Sequence, residues 1–179
     1  MKAVNSFPLK ERISPDQIEE KIALLAAQIN EQYRHNDLVI VMVLKGAICF
    51  VADLMRKLDL LFDLEMVQCA SYGQNGISRG KLQVHFLNAL SFQGKDILLI
   101  DDIYDSGHTL QTLIEAIKQQ KPKSLRTCVL LYKKGVEKVT PTKPDWVLFE
   151  IENEFVVGYG LDYKEKYRNL AGIYAMEAP

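Results

Sequence analysis

The sequence predicts one α/β domain on a mainly parallel, twisted sheet flanked by helices. Three observations carry that prediction. Leu38–Leu44 (LVIVMVL) has no polar interruption, the pattern of a strand covered on both faces. Residues 97–100 (ILLI) form a second such run. Helical stripes follow both runs, so strand, loop, helix and strand recur through the middle of the chain.

The elements can be justified in order. Ser14-Pro15-Asp16-Gln17 opens a helix: Ser is the N-cap, Pro sits at the first helical position, and Gln can close a capping box. Ile18, Ile22, Leu25 and Ile29 keep helical spacing, so one face turns inward. Asn36-Asp37 breaks the helix before the first apolar strand. After Lys45-Gly46-Ala47, a stripe of Phe50, Val51, Leu54 and Leu58 predicts a second helix. A strand is expected over residues 64–70, then a segment with three glycines, SYGQNGISRG (71–80), and an extended run over 82–87. Beyond residues 97–100, Leu110, Leu113, Ile114 and Ile117 predict a helix that Lys121-Pro122 ends. Residues 125–132 and Trp146–Ile151 are further strands, and residues 155–160 a short strand or turn.

The 179 residues fit a single domain, and no linker or repeat divides them. Hydrophobic (48%) and charged (25%) fractions are those of a globular protein, and a net charge of −1 supplies no basic field for nucleic acid or a membrane surface. The apolar runs are too short to span a bilayer, and MKAVNSFPLKER lacks a secretory h-region, so a cytoplasmic protein is expected. Cys49, Cys69 and Cys128 are scattered among apolar residues, with neither disulfide nor zinc spacing.

Chemistry concentrates in ILLIDDIYDSGHTL, residues 97–110. Ligands of open α/β sheets bind at the carboxyl ends of strands, where Asp101-Asp102 falls. Side chains alternate along a strand, so adjacent aspartates can converge on one ligand only where strand gives way to loop. Residues 106–109 (SGHT) then open a helix whose free N–H groups and two hydroxyls suit a phosphate. Carboxylates repel phosphate. A sugar phosphate reconciles the two, its hydroxyls or a metal on the carboxylates and its phosphate in the loop. A nucleotide hydrolase is disfavoured, because no GxxxxGK[ST] loop exists anywhere.

This string resembles the phosphoribosyl-pyrophosphate signature of the type I phosphoribosyltransferases. VLKGA (43–47), SYG (71–73), LLYK (130–133) and FEIENEFVVGYGLDYKEKYRNL (149–170) make the chain similar to their hypoxanthine (guanine) branch. The resemblance implies the type I phosphoribosyltransferase fold across residues 1–179. Its core would cover about 14–150, with a small hood from the N-terminal residues and about 151–179. It also implies transfer of phosphoribosyl from phosphoribosyl pyrophosphate to hypoxanthine, and to guanine, with Mg²⁺ as cofactor and a homodimer or homotetramer as the assembly. A non-catalytic phosphoribosyl-pyrophosphate sensor and a xanthine-preferring enzyme are the alternatives.

Residue roles follow from the same resemblance. Asp101 and Asp102 would bind the ribose hydroxyls or the metal; many relatives carry Glu-Asp, so Asp101 is one methylene short. Asp105 would be the general base or proton relay at the purine. Ser106, Gly107, His108 and Thr109 would hold the 5′-phosphate, His108 mainly through its N–H. Lys45-Gly46 would grip pyrophosphate through backbone amides, in a loop that the family often makes with a cis peptide, and Arg168 would contact the same group. Lys133 would donate to the purine 6-oxo group, with adjacent Lys134 as the alternative. Phe155 would stack on the base, Val156 would read its edge, and Asp162 would hold Mg²⁺ beside the purine. Residues 71–80, beginning with Ser71 and Tyr72, would form a lid that excludes water.

Overall fold

Two sheets organise the chain in a computed structural model that describes residues 8–71, 82–139 and 143–177. The larger sheet has six strands: β2 (Leu38–Leu44), β3 (Phe62–Ser71), β4 (Leu82–Phe86), β5 (Asp96–Tyr104), β6 (Ser124–Lys133) and β7 (Trp146–Ile151). Their spatial order is β4-β3-β2-β5-β6-β7, and every neighbouring pair is parallel except β3 with β4. Three helices cover it: α1 (Pro15–Tyr33), α2 (Ile48–Met55) and α3 (His108–Gln119).

The uninterrupted apolar runs are central strands. Along β2, Leu38, Ile40 and Met42 enter the core beneath α1 and α2, whereas Val39, Val41 and Val43 enter the core beneath α3. The two-residue period of a strand thus sends alternate side chains into two separate cores, and both must be apolar. The capping box is present: Ser14 Oγ accepts from Gln17 N–H, and Gln17 Oε1 accepts from Ser14 N–H.

The boundary that bears on the site differs from expectation. β5 does not end at residue 100 but runs to Tyr104, through both aspartates. Its pairing with β2 stops at Met42 and Ile100, while its ladder with β6 continues to Tyr104 and Tyr132. One-sided pairing keeps the strand extended while leaving its other edge unpaired beyond Ile100.

A second sheet joins β1 (Leu9–Ile13), β8 (Val156–Val157) and β9 (Ile173–Met176) in the antiparallel order β1-β9-β8. It draws on residues near both ends of the chain. An ion pair of Arg12 with Glu154, 2.5 Å apart, ties β1 to the turn before β8. Among the described residues no helix is long and apolar enough to cross a membrane.

Candidate active site

The carboxyl ends of β2, β5 and β6 lie side by side, and the chain places its unusual residues there. β2 ends in a cis peptide bond between Leu44 and Lys45, followed by Gly46. A Cβ on Gly46 would stand 1.5 Å from Asp102 Oδ2, so this glycine admits the carboxylate from the neighbouring strand. Gly46 is in turn met by Gly160, where a Cβ would come within 2.4 Å of the Gly46 carbonyl oxygen. The loop after β2 is therefore gripped between Asp102 and the segment that follows β8.

Asp101 and Asp102 have separate environments because the strand continues through them. Asp101 is 4% exposed and accepts the Asp102 N–H at 2.9 Å. Burial above all, then the adjacent Asp102 charge, hold its carboxyl well above the usual carboxylate range. Asp102 is half-buried and accepts the Ile103 N–H at 2.8 Å. Of the two, Asp102 is the one that borders the Gly46 loop.

Beyond Tyr104 the chain turns into α3 through residues 105–107. Gly107 is the N-cap with φ +85°, a left-handed conformation, and no side chain caps the helix. The first-turn amides of His108, Thr109 and Leu110 have no intrahelical acceptor by helix geometry, which leaves them for an anion. A Cβ on Gly107 would lie 2.5 Å from the Tyr104 hydroxyl, so the loop lies directly on that ring. Tyr104 stacks on Tyr132 with centroids 5.3 Å apart and planes 8° from parallel. Ser106 is half-buried, and its carbonyl accepts the Val139 N–H at 2.9 Å. The His108 side chain is exposed, and Thr109 is half-buried.

Lys133, at the end of β6, is 12% exposed in its side chain, and its Nζ lies 3.8 Å from Asp105 Oδ2. Lys134 points away and pairs with Glu152 at 3.0 Å. Of the two adjacent lysines, Lys133 is therefore the one beside Asp105. The half-buried Lys138 donates to the carbonyls of Asp105 (2.5 Å) and Lys133 (2.6 Å), a contact that nothing in the local sequence signals.

On the other side, Arg168 donates to the Gly160 carbonyl at 2.7 Å and pairs with Asp162 at 2.7 Å. Glu165, also unmarked in the sequence, bridges Lys45 (3.1 Å) and Arg168 (3.2 Å). Hydrogen bonds from Lys45 and then Arg168 hold its carboxyl below the usual range. Arg168, expected at pyrophosphate, and the side chain of Lys45, whose backbone was expected there, thus share one exposed carboxylate. Phe155 is 47% exposed and meets Tyr163 edge-on at 5.7 Å, while Val156 is buried and pairs with Ala175. Ser71 is the last residue of β3; Tyr72 and the rest of the expected lid to residue 80 lie outside the described residues.

Among the described residues no three His, Cys, Asp or Glu side chains gather to hold a metal. Asp102 and Asp162 instead offer single hard oxygen donors at the margin of the site. That donor set suits a hard divalent cation bound through one or two carboxylates together with other oxygen ligands.

The model of the phosphoribosyl transferase domain matches residues 14–164. The chain is 42% identical to the bifunctional protein TilS/HprT of Listeria innocua over 88% of its own length, and spans 24% of that longer protein. It is 38% identical to the hypoxanthine-guanine phosphoribosyltransferase of Aquifex aeolicus over 99% of both chains. The crystal structure of a hypoxanthine-guanine phosphoribosyltransferase from Bacillus anthracis superposes with a TM-score of 0.87 at 34% identity, covering 96% of this chain and 100% of that one. The match over most of the chain, together with the parallel sheet and its strand-end site, shows that the protein belongs to the phosphoribosyl transferase domain family.

Proposed function

We propose that the protein transfers the phosphoribosyl group of 5-phosphoribosyl 1-pyrophosphate to hypoxanthine, and to guanine, releasing pyrophosphate and the purine nucleoside 5′-monophosphate in purine salvage. The observation that carries this reading is the Lys133–Asp105 pair, 3.8 Å apart, beside the anion-binding turn at 106–109. It sets a donor and a proton acceptor where a 6-oxopurine would lie against the sugar phosphate.

Each group has a task in the reaction. The 106–109 turn holds the 5′-phosphate, and Asp102 accepts from ribose hydroxyls. Lys133 donates to the 6-oxo oxygen. Phe155, whose ring is half in solvent, stacks on the base, and the Val156 backbone reads its edge. N9 attacks the anomeric carbon as the bond to the pyrophosphate oxygen breaks, and Asp105 takes the proton lost from the purine ring. Arg168, Lys45 and the amides after β2 receive the leaving pyrophosphate. Asp162 and Asp102 would hold Mg²⁺, which when bound spreads the developing negative charge. The chain's contribution is placement and charge stabilisation rather than covalent chemistry.

The reading extends to a homodimer or homotetramer in the cytoplasm, supported by the likeness to the family. Incubation with phosphoribosyl pyrophosphate, Mg²⁺ and hypoxanthine, followed by mass analysis, tests the reaction. Inosine 5′-monophosphate supports it, and unreacted base with intact phosphoribosyl pyrophosphate contradicts it.

A further inference from the structure

The ladder between β5 and β6 pairs its last residues at Tyr104 and Tyr132. One residue later come Asp105 and Lys133, beyond the last rung. Their backbone carbonyls are bridged by a single side chain. Lys138 Nζ lies 2.5 Å from the Asp105 oxygen and 2.6 Å from the Lys133 oxygen. An ammonium group has three donors and no acceptor, so two carbonyls converging on it use most of its capacity. It also stands 4.5 Å over the Tyr132 ring and 5.3 Å over the Tyr104 ring, a cation above the stacked pair on which the Gly107 turn rests. The next residue continues the connection, Val139 N–H donating to the Ser106 carbonyl.

We infer that Lys138 is a positioning residue for the site: its ammonium replaces the missing rung of the β5–β6 ladder and fixes Asp105 and Lys133 relative to each other. The inference rests on the proposed purine transfer for its catalytic consequence, but its geometry stands without it. Asp105 and Lys133 have different tasks, proton acceptance and recognition of the 6-oxo group, and each side chain springs from a carbonyl that Lys138 holds. Loss of the ammonium therefore disturbs base selection as well as rate. Burial lowers the affinity of Lys138 for its proton, Asp105 opposes that effect, and neighbouring Lys133 adds to it. Two ammonium groups face one carboxylate here.

Lys138→Met keeps an apolar stem over the tyrosine rings and removes the charge. Misplacing a catalytic group by about 1 Å can cost about a hundredfold in rate. The variant should lose about tenfold or more in kcat/KM for hypoxanthine while its preference for hypoxanthine over adenine also shrinks, and Lys138→Arg should recover both. A merely structural lysine would lower Tm and reduce turnover with all bases alike, leaving the base preference unchanged. Amide hydrogen exchange at Val139, whose N–H donates to the Ser106 carbonyl, supplies a readout independent of turnover in the ligand-free protein, and Lys138→Met should speed it. Unchanged exchange, or an unchanged base preference, overturns the role of Lys138. If wild-type protein turns over no base at all, the proposed reaction fails, and the exchange measurement alone still decides for or against Lys138.

Discussion

Gly46 and Asp102 occupy mutually exclusive space: any Cβ on Gly46 would lie 1.5 Å from Asp102 Oδ2 and 2.5 Å from its Cγ. The Asp102 carboxylate can sit against the end of β2 only because residue 46 has no side chain. Gly46→Ala should displace the carboxylate or the loop, at a cost of about 1–3 kcal/mol in stability, typical of overpacking. Its KM for phosphoribosyl pyrophosphate should rise more than its KM for the base. Calorimetry and initial rates with each substrate varied in turn check both.

Asp105 is the proposed proton acceptor, and positioned general bases typically contribute about a hundredfold to ten-thousandfold. Asp105→Asn should retain binding of phosphoribosyl pyrophosphate by titration calorimetry and lose at least about a hundredfold in kcat. Unchanged turnover would remove the residue from the proton-transfer step.

Glu165 neutralises Lys45 and Arg168 where pyrophosphate is expected to sit. The incoming anion must displace that carboxylate. Glu165→Gln should therefore tighten pyrophosphate binding, by about twofold to fivefold given the modest strength of exposed ion pairs. Weaker binding would mean instead that Glu165 presents the two cations.

Asp101 opens a test by pH. Its folded carboxyl titrates well above the usual range, chiefly through burial, so the folded state keeps a proton that the unfolded chain loses as pH rises past about 4. Ionisation of the unfolded chain then costs the native state stability at neutral pH. Asp101→Asn, which keeps an acceptor for the Asp102 N–H, should raise Tm at pH 7, at about 2–4 °C for each kcal/mol recovered in a domain of this size. The advantage should shrink toward pH 4. Scanning calorimetry across that range measures it, and a gain independent of pH would contradict the buried-proton account.

Much of the architecture was legible because it is local. The runs at 38–44 and 97–100 announce central strands, and Ser14 with Gln17 announces the start of α1. β1 and β9 were not foreseen. Leu9–Ile13 is polar and mostly exposed, and it becomes a strand only by pairing with residues 173–176 at the far end of the chain. The added length of β5 likewise comes from its ladder with β6, which no pattern within residues 101–104 reveals.

The site divides the same way. The turn at 105–109 stands out as one contiguous string. The contacts of Lys138 with Asp105 (33 residues apart) and of Lys45 with Glu165 (120 residues apart) arise only once the strands are assembled. The sequence favours Lys133 and leaves Lys134 as an alternative, which the fold turns outward into an ion pair with Glu152.

The measurement that bears most directly on the central claim is pyrophosphate release from phosphoribosyl pyrophosphate and Mg²⁺, with hypoxanthine, guanine, xanthine and adenine supplied separately. A donor at Lys133 that must meet a 6-oxo group predicts release with hypoxanthine and guanine and none above background with adenine. Release with adenine equal to that with hypoxanthine, or release with no base despite measurable binding of phosphoribosyl pyrophosphate, would contradict the account.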